Sequence, residues 1–268
     1  VSMNAAVQER RGVARGRWTR GMMVGLGLFG AACGGRTSDG TAAKPPMANP
    51  GGDPSVPVES TTAGAPVAVG VNSVAGPDRT GAPRVLFLGT SLTAGYGLDD
   101  PARDSWPSVI QAIADSLHVP LQVVNAGLSG ETSAGALRRT EWLLRQPADL
   151  VVIETGANDG LRGLNPDSTA ANLRAIVAKI RATLPAAKLL LVQMEAPTNL
   201  GAAYTRDFHA LYGRVAREAK IPLSPFLLDG VAGVRTLNQG DGIHPLPEGA
   251  RRAARTLWPS IRRALGPG

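Results

Sequence analysis

From Arg84 onwards, short runs of apolar residues alternate with longer segments in which apolar residues recur every three or four positions. A short apolar run bounded by glycine or polar residues predicts a buried strand, and the longer period predicts a helix. The predicted strands are Val85–Leu88, Leu121–Val124, Leu150–Ile153, Lys188–Val192 and Ile221–Phe226. The predicted helices lie between or after them: Ser105–Leu117, Ser133–Leu144, a helix capped by Asp167 that includes Ile180, Tyr204–Ala219 and Glu248–Ala264.

Strict alternation of strands and helices predicts an α/β fold with a parallel sheet of about five strands, covered by helices on both faces. In such sheets, functional sites lie beyond the carboxyl ends of the strands. Polar motifs follow the first three predicted strands, and a fourth motif comes shortly before the last helix. These motifs are Gly89–Gly97, Asn125–Thr132, Thr155–Gly160 and Asp241–Pro245.

The motifs contain the residue types that nucleophilic catalysis needs. Ser91 is a candidate nucleophile, but a serine hydroxyl requires a base within hydrogen-bond reach. His244 is the candidate base, because imidazole ordinarily titrates near neutral pH, and Asp241 at three residues' distance can orient its ring. The oxyanion that develops needs preorganised donors, for which the candidates are the Ser91 N–H, the Gly130 N–H and the Asn158 side-chain amide.

Each motif alone has an ordinary structural explanation. A Gly-x-Ser after a strand or an Asn-Asp-Gly is most often a turn, and a single histidine is most often a surface or packed residue. We give His118 and His209 that interpretation, because each lies on a predicted helix or at its end. Four motifs in order at one end of a predicted sheet favour the catalytic interpretation.

With these motifs the chain resembles the SGNH hydrolases, also called the GDSL family, over about residues 84–265. The resemblance is to the bacterial arylesterase, acyl-CoA thioesterase and lysophospholipase group. It implies a flavodoxin-like three-layer α/β/α sandwich and no metal or organic cofactor. It also implies that Ser91 is the nucleophile, that Gly130 and Asn158 are oxyanion donors, and that Asp241 and His244 are the acid and base.

One residue departs from the family pattern. The family has an aspartate between the glycine and the serine of the first motif, whereas this chain has Thr90. Threonine can donate and accept hydrogen bonds but carries no charge, so we expect activity to persist with a different support for the active-site loops.

The resemblance implies a small acyl ester, a thioester or a lysophospholipid as substrate. Four residues after the third and fourth strands are candidates for an acyl pocket, although they could equally serve only to pack the loops: Leu161, Leu164, Pro197 and Leu200. One alternative is a carbohydrate O-acetyl esterase, for which the chain offers few aromatics, chiefly Tyr96, Trp106 and Tyr204. Another is a degenerate domain that only binds a ligand. The oligomeric state is not predicted.

The N-terminal part differs from the rest in charge and composition. Residues 1–33 carry +4 of the net charge of +7, so the remainder carries +3, which argues against nucleic-acid binding. An arginine-rich stretch and the apolar residues 21–32 precede Cys33, the single cysteine, as in a bacterial lipoprotein signal; an ordinary secretory signal is the alternative. Residues 34–82 are rich in Gly, Pro, Ala, Ser and Thr, which predicts a flexible tether.

We therefore expect three segments: a signal at residues 1–33, a tether at 34–82 and a hydrolase domain at 83–268. In this interpretation the protein is exported and lipid-anchored through Cys33 at the cell envelope, on a periplasmic or outer-membrane face. A single cysteine also excludes an internal disulfide framework.

Overall fold

The computed structural model describes residues 72–73 and 79–266. The predicted signal, Cys33 and most of the predicted tether lie outside the described residues. Within the described part of the chain, no helix has both the length and the apolar character that a membrane span requires.

The centre of the domain is a six-stranded sheet, of which five strands are parallel as predicted. The strands are β1 (Asn72–Ser73), β2 (Arg84–Gly89), β3 (Gln122–Gly127), β4 (Leu150–Ile153), β5 (Lys188–Gln193) and β6 (Leu223–Phe226). Their order in the sheet is β1-β3-β2-β4-β5-β6. The unpredicted β1 pairs antiparallel with the edge of β3, with Asn72 opposite Asn125.

Helices fill the segments between the strands. They are α1 (Ser91–Ala94), α2 (Pro101–Asp104), α3 (Trp106–Ser116), α4 (Ser133–Leu143), α5 (Ala157–Leu161), α6 (Pro166–Thr183), α7 (Ala202–Ala219) and α8 (Pro247–Leu265), with a 3-10 turn at Thr198–Leu200. The five long helices were predicted. The sequence pattern missed α1, α2 and α5, because one helical turn is too short to display a periodicity.

Helix caps explain where two of these helices begin. Ser105 caps α3 as expected, because its side chain accepts a hydrogen bond from the Ser108 N–H. The predicted cap of α6, Asp167, is wrong. Asn165 caps this helix by accepting a 2.7 Å hydrogen bond from the Asp167 N–H, and Pro166 is the first helical residue. Proline suits that position because its missing N–H would have had no partner there.

The core lies between the sheet and two helical layers. All four residues of β4 are fully buried, and so are Val85 and Leu88 of β2. Helix α3 packs against α8, while α6 packs against α4 and α7. The resulting three layers place the polar motifs that follow β2, β3 and β4 together at the carboxyl edge of the sheet.

Candidate active site

Ser91, His244 and Asp241 form one chain of hydrogen bonds. His244 Nε2 lies 2.8 Å from Ser91 Oγ, and His244 Nδ1 lies 2.6 Å from Asp241 Oδ2. The structure thus joins residues that are 153 positions apart in the sequence. With Nδ1–H donated to Asp241, Nε2 is free to accept the serine proton.

The environment of Asp241 keeps it ionised. Partial burial raises its pKa, but hydrogen bonds from the His244 ring and from the backbone N–H groups of His244 and Ile243 outweigh burial and lower the pKa to about 2. The two backbone bonds to Asp241 Oδ1 measure 2.9 Å from Ile243 and 3.0 Å from His244. Asp241 therefore presents a fixed negative charge to the imidazole at all pH values where enzymes usually work.

Gln239 connects the loop that carries His244 to the loop that carries Ser91. Its side-chain Nε2 donates to Tyr96 O at 2.8 Å and to Pro245 O at 3.1 Å, and its backbone N–H donates to His244 O at 2.7 Å. The Tyr96 ring lies with its centre 4.8 Å from that of His244 and is 55% exposed. Tyr96, one of the few aromatics that the sequence offered for substrate binding, therefore forms part of the rim of the site.

Ser91 is the first residue of α1, directly beyond the carboxyl end of β2. Its N–H belongs to the first turn, where N–H groups have no partner within the helix. A side chain at Gly89 would overlap Thr93 and lie 2.8 Å from Glu154 Oε2, so only glycine fits at the end of β2, two residues before Ser91. The backbone donor of the nucleophile is thus held at the site by tight local packing.

The candidate oxyanion donors lie on the loops after the two strands that flank β2. Gly130 follows β3 and has a φ of +76°, which favours glycine, while Asn158 follows β4 at the start of α5. Asn158 Nδ2 donates to Glu131 O at 2.9 Å, and Arg162 Nη2 donates to Gly130 O at 2.9 Å. The two loops are therefore held together at the carboxyl edge of the sheet, and Asn158 keeps a second amide hydrogen available.

Two buried acidic groups that the sequence analysis did not use stabilise these loops. Glu131 forms a 2.7 Å ion pair with Arg139, which also donates to Gly89 O at 3.0 Å. Asp159 accepts hydrogen bonds from the Ser133 N–H at 2.7 Å and the Ser133 hydroxyl at 2.5 Å. The partners are separated by eight residues or more, a spacing at which no local pattern reveals them.

Thr90 is fully buried beneath the nucleophile turn. Both its N–H and its hydroxyl are hydrogen-bonded to the carboxyl of Glu154, the residue that directly follows β4. Thr90, which stands where the family has an aspartate, therefore places a neutral hydroxyl against a buried acidic side chain.

The candidate pocket residues lie at the same end of the sheet. Leu161, Leu164 and Leu200 are each about two-fifths exposed, and Pro197 is partly buried. A side chain at Gly163 would come within 3.8 Å of Leu200, so the segments after β4 and β5 approach each other here. This edge thus presents exposed leucines from two loops to solvent.

The other two histidines are not part of this site. His209 does have a carboxylate partner, Glu195 Oε1 at 2.6 Å, which the sequence spacing did not reveal because the two are 14 residues apart. Within the described part of the chain, no hydroxyl is hydrogen-bonded to its other ring nitrogen. His118 has a φ of +53° and follows the end of α3.

Comparisons with known proteins agree with the fold and the motifs. The sequence profile of the GDSL-like Lipase/Acylhydrolase family matches residues 87–252. Esterase TesA of Pseudomonas aeruginosa is 41% identical over 186 residues, which cover 69% of this chain and 90% of TesA. A protein of Escherichia coli named for thioesterase, protease and lysophospholipase activities is 39% identical over 165 residues, or 61% of this chain and 76% of that protein.

Solved structures give the same answer. The crystal structure of the esterase EstA from Pseudoalteromonas sp. superimposes with a TM-score of 0.64 at 34% identity, covering 69% of this chain and 99% of EstA. The resemblance noted in the sequence is thereby confirmed, as is the predicted α/β fold. The chain belongs to the GDSL-like lipase/acylhydrolase family, the SGNH hydrolases.

Proposed function

We propose that this protein is a serine esterase that hydrolyses small or medium acyl esters, including lysophospholipids and thioesters, through an acyl-enzyme on Ser91. The observation that carries the proposal is the continuous hydrogen-bonded chain from Ser91 Oγ through His244 to Asp241. Names of relatives support the same reaction class: one is an esterase, and another combines thioesterase with lysophospholipase.

The geometry supports a two-step mechanism. Ser91 Oγ attacks the acyl carbonyl while His244 Nε2 takes its proton, and the carbonyl oxygen gains negative charge. The Ser91 N–H, the Gly130 N–H and the Asn158 amide stabilise that charge; one such donor is generally worth about 10²–10³ in kcat. His244 then protonates the leaving group, and afterwards it activates the water that releases the acid from Ser91.

We assign the binding of the substrate's acyl group to the exposed leucines at the carboxyl edge of the sheet. Leu161, Leu164 and Leu200 offer exposed apolar surface beyond β4 and β5, which suits a hydrocarbon chain better than a sugar. The rim aromatic Tyr96 stands over His244, on the side of the site where the nucleophile loop lies.

A substrate panel tests this function. The full chain should hydrolyse p-nitrophenyl butyrate and hexanoate, a lysophosphatidylcholine and an acyl-CoA, with no acetate release from acetylated xylan. Acetate release from xylan alone would make the protein a carbohydrate O-acetyl esterase. A folded chain with no turnover on any of these substrates would point to a domain that only binds a ligand.

We further propose that residues 1–33 export the protein and that Cys33 carries lipid, so that residues 34–82 tether the hydrolase domain, residues 83–268, to the cell envelope. The positive stretch, the short apolar segment and the single cysteine support this proposal. We expect the wild-type protein to incorporate labelled palmitate and to sediment with membranes, whereas Cys33→Ser should do neither and should keep its esterase activity. Equal fractionation of the two proteins, without label in either, would contradict lipidation.

A further inference from the structure

The side chain of Glu154 is fully buried directly beneath the turn that carries Ser91. Its Oε2 accepts hydrogen bonds from the Thr90 N–H at 2.9 Å and from the Thr93 hydroxyl at 2.7 Å. Its Oε1 lies 2.9 Å from the Thr90 hydroxyl. Thr90 and Thr93, which flank Ser91 and Leu92, are therefore hydrogen-bonded to the same carboxyl group.

The direction of these hydrogen bonds follows from counting protons. The Trp106 Nε1–H donates to Thr93 Oγ1 at 3.2 Å, so the Thr93 hydroxyl proton points to Glu154. The Thr90 N–H is always a donor. An ionised Glu154 can accept all three protons, including that of the Thr90 hydroxyl. A protonated Glu154 must donate its own proton, so one of its hydroxyl partners has to rotate and become the acceptor.

Glu154 forms no ion pair with any residue of the described part of the chain. Burial raises its pKa to about 7 despite the hydrogen bonds from Thr90 and Thr93. Among the described titratable groups, the Tyr212 phenol of α7 is within electrostatic reach of Glu154 and donates to Thr155 O, while Arg139 of α4 is paired with Glu131 and donates to Gly89 O. A buried carboxyl without a cation destabilises the folded state whenever it is ionised, so its presence calls for a functional reason.

We propose that Glu154 is a positioning residue for the nucleophile: its buried carboxylate fixes Thr90 and Thr93, and thereby sets the peptide that presents the Ser91 N–H and hydroxyl to the substrate. This inference rests on the proposed esterase function. Glu154 touches neither substrate nor Ser91 Oγ, and it acts through the two threonines.

This role also accounts for the neutral residue at position 90. Thr90 supplies two donors to a carboxylate that forms no ion pair with any of the described residues. An aspartate at this position would place a second carboxyl against Glu154 in a fully buried location, where the two could coexist only by sharing a proton.

Glu154→Gln tests the proposal because it keeps the size of the side chain and removes the charge. At pH 8.5 we expect kcat for p-nitrophenyl butyrate to fall about ten- to a hundredfold, with KM changed less than about twofold, since small displacements of a nucleophile carry costs of this order. The melting temperature should rise, because the variant no longer buries an ionised group. The rise should shrink towards pH 5, where the wild-type carboxyl is protonated.

A lower kcat together with a higher melting temperature distinguishes a residue that positions the nucleophile from one that only stabilises the fold. Asp104→Asn is the matched control: Asp104 is buried but is stabilised by Arg103, so its replacement should lower the melting temperature and leave kcat unchanged. A Glu154→Gln protein with wild-type kcat, or one that loses kcat and stability together at pH 8.5, would overturn the proposal. An inactive wild-type protein would overturn the proposed function, and this inference with it.

Discussion

We expect Ser91→Ala to abolish ester hydrolysis, lowering kcat by at least about 10³-fold, because the variant lacks the oxygen on which the acyl group is transferred. The melting temperature should stay close to that of the wild type, since Ser91 is only partly buried and, among the described residues, its hydroxyl is hydrogen-bonded to His244 alone. The measurement is turnover of p-nitrophenyl butyrate, together with intact mass after treatment with a fluorophosphonate. The wild-type protein should gain a single adduct that maps to Ser91, and the variant should gain none.

Ser116→Ala is the matched control for this experiment. Its hydroxyl is exposed at the end of α3 and donates to Ile113 O, its one hydrogen-bond partner in the described part of the chain, so both turnover and the adduct should be retained. Turnover that persists in Ser91→Ala would exclude the acyl-enzyme mechanism. A folded wild-type protein that takes up no fluorophosphonate would show that the hydroxyl is not activated.

His244→Ala should have an effect of similar size, at least about 10³-fold in kcat, because the serine proton then has no acceptor. In the wild-type protein, activity should increase with pH between 5 and 8 as the Glu154 carboxyl, whose pKa burial raises to about 7, ionises and fixes Thr90 and Thr93. Asp241 does not contribute to that increase, because its pKa of about 2 keeps it ionised over the whole interval. The increase should be smaller in Glu154→Gln, which lacks the carboxyl that titrates in this interval.

His209→Ala provides the comparison. His209 also has a carboxylate partner at 2.6 Å, so this variant removes a similar pair without touching Ser91. It should retain the wild-type kcat and pH profile. Equal losses in the two histidine variants would contradict the assignment of His244 as the base.

Local patterns were sufficient for most of the fold and for the pairing of Asp241 with His244. Strands such as β4 are apolar throughout, and the acid and base lie three residues apart in one turn. The cap of α6 was misassigned because Asn165 and Asp167 are both good capping residues, and only the position of Pro166 decides between them.

Long-range contacts account for what the sequence did not reveal. Glu154 meets its threonine partners across 61 to 64 residues, and Gln239 meets Tyr96 across 143. The residues next to Glu154 in the sequence do not distinguish it from a solvated residue at the end of a strand. Its burial follows from the order of β2 and β4 in the sheet, which a single sequence does not display.

The separation between Ser91 and His244 also has a consequence for folding. The nucleophile follows the first long strand of the domain, and the base comes just before its last helix, so their hydrogen bond closes nearly the whole domain into one loop. Contacts between such distant residues form only when the intervening chain has been ordered. A partly folded molecule therefore has a serine without a base, and the recovery of ester hydrolysis during refolding reports the completion of the entire domain.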